Sequence, residues 1–365
     1  MTEQLLYNIA ITLIPGVGDV NGKKLVAYCG GTAAVFNEKK KSLGKIPGIG
    51  TSTVNSILSQ KVLTRAETEI NFIERHGIQP LFYLDKAYPK RLLHCADSPM
   101  MLYYKGSADL NEQRFVGIVG TRNATTYGKN FCEQFIDDLS RSSVTIVSGL
   151  AYGIDSCAHW SSLKSGTPTI GVLGHGLDRI YPYSNKGLAE RMLENGGLLT
   201  EFTSQTKPDR ENFPRRNRIV AGICDAVVVI ESAKRGGALI TADIANSYNR
   251  DVFAVPGRVN DHYSEGCNYL IRTHRAAMVE SADDIRYIMR WDEDITTQTA
   301  QTKLFREFTE EESKIIKILE GGSHAGLDDI MIKSQLPVSK IAGLLLSLEF
   351  EGIVAALPGK KFKLL

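Results

Sequence analysis

The chain has 365 residues, enough for two or three domains with buried cores. Its 43 Lys and Arg nearly balance 41 Asp and Glu, so bulk charge cannot hold it on nucleic acid or a membrane, and anion binding must come from local clustering. Six scattered cysteines (Cys29, Cys95, Cys132, Cys157, Cys224, Cys267) contain no CxxC pair, indicate neither a zinc site nor a disulfide framework, and read as reduced, mostly buried thiols.

The opening "MTEQLLYNIAITLIPG" has no basic stretch before its short apolar run, so it is not a signal peptide, and no apolar run is long enough to span a bilayer. A cytoplasmic protein without membrane attachment is expected. Residues 1–77 are expected to be helical and contain an echo: "LIPGVGDVNGKKLV" from Leu13 and "KIPGIGTSTVNSIL" from Lys45. Each copy fits a helix-hairpin-helix, in which Gly16 and Gly18, or Gly48 and Gly50, allow a tight turn with free N–H groups at a helix start. Such a turn can hold a DNA phosphate without reading sequence, and it can equally be a plain helical turn.

Residues 78–290 alternate short apolar runs with amphipathic stretches. The runs "RFVGIVG", "VTIVSG", "PTIGVLG", "GLLTEF", "DAVVVIE" and "DVFAVPG" predict strands of a Rossmann-like, doubly wound, mostly parallel sheet, buried on both faces. Ligands in such sheets lie beyond the carboxyl ends of the strands. Residues 291–305 are polar and read as a linker. Residues 306–365 predict three helices and a hairpin carrying Lys360, Lys361 and Lys363, with a Thr309/Glu312 capping box, which is a winged-helix pattern suited to duplex DNA or to docking a partner.

Three loops carry the candidate chemistry. "GIVGTRNATTYG" sits where a Rossmann phosphate loop belongs, but it is not G-x-G-x-x-G, and the second strand ends in Ser148 and Gly149 without a ribose-binding acid. NAD is therefore not expected, nor any other cofactor. The loop instead suits a phosphate held by amides, Thr121 and Arg122 at a helix N-terminus. "ESAKRGGALITA" is a second such turn, with Lys234, Arg235, Gly236 and Gly237.

The third loop, Lys207 to Arg218, sets five basic residues (Lys207, Arg210, Arg215, Arg216, Arg218) against two acids around Phe213. A ring beside guanidinium groups suits a single strand, where every base offers a face to stack. The bland alternative keeps Phe213 in the core, and at least one of Arg216 and Arg218 is expected in an internal ion pair.

"SGLAYGIDSCAHW" holds Ser148, Asp155 and His159, but Ser148 lacks a nucleophile elbow and Asp155 and His159 are four apart on one helix. A structural Asp155–His159 hydrogen bond is expected, with Gly149 and Gly153 serving close backbone approach. His175 is expected to be a ligand contact or merely solvated. No acid and histidine cluster has the spacing of a nuclease metal site, so no metal is expected.

Taken together, "YPKRLLHCADSPMMLYYKG", "VGIVGTRNATTYG", "IVSGLAYGIDSCAHWSSLKSGTPTIGVLGHGLDRIYP", "FPRRNRIVAG", "GGALITADIANSYNRDVFAVPG" and "EGCNYLI" closely resemble the bacterial DNA-processing protein A family, DprA or Smf. The resemblance covers roughly residues 88–271. It implies a core that binds single-stranded DNA, forms a homodimer, protects incoming DNA and loads a RecA-type recombinase during natural transformation. It also implies DNA contacts at Gly120, Thr121 and Arg122 and at Arg210 and Phe213. With the loop residues above, the candidate DNA-binding set is Gly120, Thr121, Arg122, Asn123, Ser148, Gly149, Lys207, Arg210, Phe213, Arg215, Arg216, Asn217, Arg218, Lys234, Arg235, Gly236 and Gly237. The alternative is an enzyme of the lysine-decarboxylase-like type that cleaves nucleoside monophosphates. Its PGGxGTxxE glutamate has no match here, which removes the general catalyst of that reaction.

Overall fold

A computed structural model describes residues 3–112, 114–291, 308–320, 324–350, 353–357 and 361–364, and the chain divides into two units, Met1–Ile288 and Met289–Leu365. Most of the polar stretch 291–305 and Lys360 lie outside the described residues.

The first unit is built on a nine-stranded sheet: β1 (Gln79–Phe82), β2 (Met101–Gly106), β3 (Phe115–Val119), β4 (Thr145–Ser148), β5 (Thr169–Val172), β6 (Gly196–Thr200), β7 (Ala226–Val229), β8 (Asp251–Ala254) and β9 (Ala277–Met278). Their spatial order is β1-β2-β6-β5-β4-β3-β7-β8-β9. All pairs from β6 to β9 are parallel, and β1 and β2 add an antiparallel edge. The six predicted strands are β3 to β8, and β3 to β7 are buried at every position, as a sheet covered on both faces requires.

The chain winds outward from β3 through β4, β5 and β6, then crosses to the other side of β3 for β7, β8 and β9. Right-handed crossovers running in opposite directions place their helices on opposite faces. One face holds the helices Thr126–Leu139 and Ile154–Ser165, packed on each other; the other holds the packed pair Asn212–Ile223 and Gly237–Ser247. The reversal leaves a crevice where β3 and β7 end.

The helical part, from Glu3–Thr12 to Val62–His76, packs on the antiparallel edge. Strand β2 explains how: Met101 and Tyr103 face the helices, while Leu102 and Tyr104 face the main core, so alternation along one strand serves two cores. The helical part and the sheet thus share one continuous body across residues 77 and 78. Both hairpin turns form, with φ of +78° at Gly16 and +86° at Gly48, the left-handed region that favours glycine. Gly18 and Gly50 have extended backbones open to any residue, and instead precede the helices Asp19–Cys29 and Thr51–Ser59.

Among the described residues of the second unit, the helices Glu310–Glu320, Leu327–Ser334 and Val338–Phe350 surround Ile315, Leu319, Ile330, Ile341, Leu345 and Leu348. The expected two-stranded wing, β11 (Val354–Leu357) with β12 (Lys361–Leu364), gains a short third strand, β10 (Ala325–Gly326). The capping box forms: Glu312 accepts from the Thr309 amide at 2.9 Å, and the Glu312 amide donates to the Thr309 hydroxyl at 3.3 Å. All six cysteines are free thiols, and Cys95, Cys132, Cys224 and Cys267 are buried.

Candidate functional site

A cavity of about 760 Å³ opens in the β3–β7 crevice. Its walls are the loop after β3 (Gly120, Thr121, Arg122), the Asn212–Ile223 helix with the turn before it (Arg210, Phe213, Arg216, Asn217) and the turn after β7 (Arg235, Gly236, Gly237). Three stretches remote in sequence therefore meet at one sheet edge.

At its mouth the Arg122 guanidinium lies over the Phe213 ring, 5.5 Å from the centroid, and Tyr181 flanks the same ring at 6.0 Å. Arg122 and Arg210 are exposed and form no ion pair among the described residues. Opposite them, the Gly237–Ser247 helix begins without a side-chain cap: the Gly236 and Leu239 amides donate to the Ala233 and Gly236 carbonyls at 2.9 and 3.1 Å, which leaves the Gly237 and Ala238 amides free at the cavity wall. Cations, a half-buried ring and two free amides together suit a phosphodiester with an unpaired base.

The loop after β3 departs from expectation in one respect. The Thr126–Leu139 helix starts at Thr125, not at Thr121 and Arg122, because the Thr125 hydroxyl accepts from the Gly128 amide at 3.2 Å. Glu231, buried at the end of β7, accepts from the Thr125 amide at 2.9 Å and from its hydroxyl. That carboxylate occupies the helix end, leaving Thr121 and Arg122 in the preceding loop.

Arg216 is buried against the cavity floor, with its Nη1 4.0 Å from Asp155 and its Nε without a partner. Burial pulls the Arg216 pKa down against the attraction of Asp155, and burial pushes Asp155 up against Arg216. Both shifts run against the charged forms, so the pair does not compensate its own desolvation. An anion in the cavity would supply the missing partner. Gly149 and Gly153 serve close approach as expected. A methyl group at Gly149 would overlap the Arg216 guanidinium, and one at Gly153, where φ is +79°, would strike the Thr121 carbonyl.

Arg218 and Arg215 turn elsewhere, which corrects their place in the candidate set. Arg218 donates to the Asp97 carbonyl, to Asp19 at 3.1 Å and to Glu201 at 2.6 Å, tying the helical part to the sheet. Arg215 pairs with Glu201 from the solvent side and stacks on Phe202, 5.1 Å from its centroid. Helical spacing explains the split, since Arg215 and Arg218 lie one and two residues from Arg216 and cannot share its face. Ser148 is also withdrawn, fully buried and donating to the Ile118 carbonyl at 2.6 Å. Lys207 and Lys234 are exposed outside the cavity lining, and Asn123 lines a neighbouring groove.

The expected Asp155–His159 hydrogen bond does not form. Asp155 accepts from the Ala151 amide at 3.3 Å, whereas His159 Nδ1 bonds Thr169 at 2.7 Å and its Nε2 has no partner. His175 is buried against its own loop through Gly176, rather than solvated. Burial, helped by the Arg216 charge, lowers the His159 pKa from 6.5 to about 3. The unfolded chain therefore takes up a proton that the folded chain refuses. The stability involved is complete above pH 6.5 and is lost as pH falls towards 3. Melting curves across that window should decline more steeply for the native chain than for His159→Gln; equal slopes would remove His159 from the acid response.

The sheet order defines a Rossmann-like core with a basic and aromatic cavity at its topological switch point. Residues 79–290 match the family model for DNA recombination-mediator protein A, and residues 298–360 match the DprA winged helix domain. The chain is 33% identical to Protein Smf of Synechocystis sp. over 393 aligned positions, covering 98% of each. It is 42% identical to the DNA processing protein DprA of Streptococcus pneumoniae over 202 residues, 55% of this chain and 71% of that one. The crystal structure of the Streptococcus pneumoniae protein superposes with a TM-score of 0.68 at 33% identity, covering 77% of this chain and 96% of that one. A Helicobacter pylori DNA processing protein A structure, described for its single-stranded DNA binding mode, gives 0.54 at 28% identity, covering 59% of this chain and 96% of that one. This chain belongs to the DNA recombination-mediator protein A (DprA/Smf) family.

Sequence reasoning missed two contributors. Tyr181 stands in the chain between β5 and β6, and nothing in the local sequence joins it to Phe213. Asp155 was weighed only against His159, because its true neighbour, Arg216, is remote in sequence.

Proposed function

We propose that this chain is a single-stranded DNA-binding recombination mediator and that the β3–β7 cavity is where the strand sits. The observation that carries the reading is the exposed Arg122 guanidinium over the Phe213 ring, facing the uncapped helix start at Gly236 and Gly237. Phosphates meet Arg122, Arg210, Arg235 and the free amides, Arg216 completes its charge from below, and a base stacks at Phe213. Single-stranded DNA binding by the Helicobacter pylori relative supports this assignment. In the same reading the chain protects incoming DNA and hands it to a RecA-type recombinase in natural transformation, acting in the cytoplasm as a homodimer. No described helix is long and apolar enough to cross a membrane.

The nucleoside-monophosphate-cleaving alternative is not favoured. Family membership points to recombination, and the carboxylates near the cavity are engaged: Glu231 caps a helix and Asp155 faces Arg216. We therefore read the protein as a binder with no catalytic centre at this site.

Phe213→Ala tests the stacking role. It is expected to weaken oligothymidylate binding by about 1–3 kcal/mol while leaving the salt dependence unchanged, because it removes a ring and no phosphate contact. Unchanged affinity in an anisotropy titration would return Phe213 to a packing role.

A further inference from the structure

A second groove, of about 1090 Å³, lies beside the cavity, and Arg122 lines both. Its walls are the helices Thr126–Leu139 and Ile154–Ser165, with Arg191 closing one end. Ser156, Trp160 and Lys164 follow one another at four-residue spacing along one wall, as Lys129 and Glu133 do on the other, so each set shares a helix face.

Two features set this groove apart from ordinary surface. Trp160 is 45% exposed and Tyr152 is 51% exposed, an open pair of large rings on a surface that normally hides them. Around them stand Arg122, Lys129, Lys164 and Arg191 against one acid, Glu133. None of these cations forms an ion pair among the described residues. Arg191 lies 5.1 Å from the Trp160 ring centroid, the same guanidinium-on-ring arrangement that Arg122 makes with Phe213.

We propose that this groove is a second single-stranded DNA subsite, which takes the strand as it leaves the cavity past Arg122, with bases stacking on Trp160 and Tyr152 and phosphates meeting Lys129, Lys164 and Arg191. The inference rests on the cavity being a single-strand site. Free cations call for a polyanion, and exposed rings call for unpaired bases. Continuity through Arg122 allows one backbone to occupy both places.

The test uses the full chain and two labelled oligothymidylates, one just filling the cavity and one several times longer. Trp160→Ala and, separately, Lys164→Gln are expected to weaken binding of the long oligonucleotide about tenfold and to leave the short one unchanged. Fluorescence gives a second readout: of the two tryptophans, Trp291 is buried, so quenching by the long oligonucleotide reports Trp160 and should vanish in Trp160→Phe. Native long-strand affinity in both variants, without quenching, would overturn the subsite while the cavity reading stands. If the native chain binds neither oligonucleotide, the cavity reading fails and the subsite falls with it.

Discussion

Arg218→Ala is expected to destabilise the first unit by about 3–5 kcal/mol, the usual result of deleting one partner of a buried ion pair. The Glu201 side chain is 5% exposed, its Oε1 already lacks a partner, and Arg218 supplies its shortest contact. Arg215 also reaches Glu201, at 3.2 Å, but its own side chain is 56% exposed and offsets little. The same substitution cuts the link from Asp19 in the helical part to the sheet. Burial already pushes the Glu201 carboxyl up, while Arg218 and then Arg215 pull it down. Without Arg218 the folded chain holds the Glu201 proton more tightly than the unfolded chain does. That contribution is complete at low pH and disappears as pH rises, so the deficit of the variant should widen from acid towards neutral pH. Thermal melting should show a drop on the order of 10 °C at neutral pH. Adding Glu201→Gln should recover part of it. A drop of a degree or less would mean that Arg218 does not hold the two parts together.

Arg122→Ala combined with Arg210→Ala should have the largest effect on binding. Each charge-assisted contact is worth about 1.5–3 kcal/mol, so the pair together should lower affinity for oligothymidylate about a hundredfold or more. The slope of log K against log salt should fall by about 0.7 for each phosphate contact removed. Stability should not change, since both side chains are exposed and neither is ion-paired among the described residues. The two substitutions thus separate the roles of arginines that look alike in sequence. Arg218 holds the fold and should leave the salt slope untouched, whereas Arg122 and Arg210 should change the slope and leave the melt untouched. Unfolding of the Arg122 variant would assign that residue to the core.

Much of the fold was legible because parallel strands buried on both faces must be continuous apolar runs, and β3 to β8 are such runs. Strand β1 was not, since "QPLF" is short and contains Pro80, and β9 has only two residues. Strand β2 is buried from Met101 to Tyr104 because it serves two cores at once, a property of the assembled edge rather than of local sequence. Loops following strands gave Arg122, Phe213, Gly236 and Gly237, because topology alone brings strand ends to one edge. The arginines of "NFPRRNR" were legible as a cluster but not as individuals. Periodicity separates Arg216 from Arg215 and Arg218 by face, yet the face with an anionic partner depends on Asp19, 199 residues from Arg218. The Asp155–His159 expectation failed for the same reason: one turn of helix made a bond plausible, and burial gave each side chain a different neighbour.

The most direct test of the central claim is photocrosslinking of an oligothymidylate carrying 5-iodouracil to the full chain, followed by mass spectrometric mapping of the attached peptide. A base stacked at the cavity mouth should crosslink within the Asn212–Ile223 helix at Phe213 or at the neighbouring Tyr181, and Arg122→Ala/Arg210→Ala should abolish the product. Crosslinks confined to the helical hairpins or the winged-helix unit, unaffected by that double substitution, would place the strand elsewhere and contradict the assignment of the β3–β7 cavity.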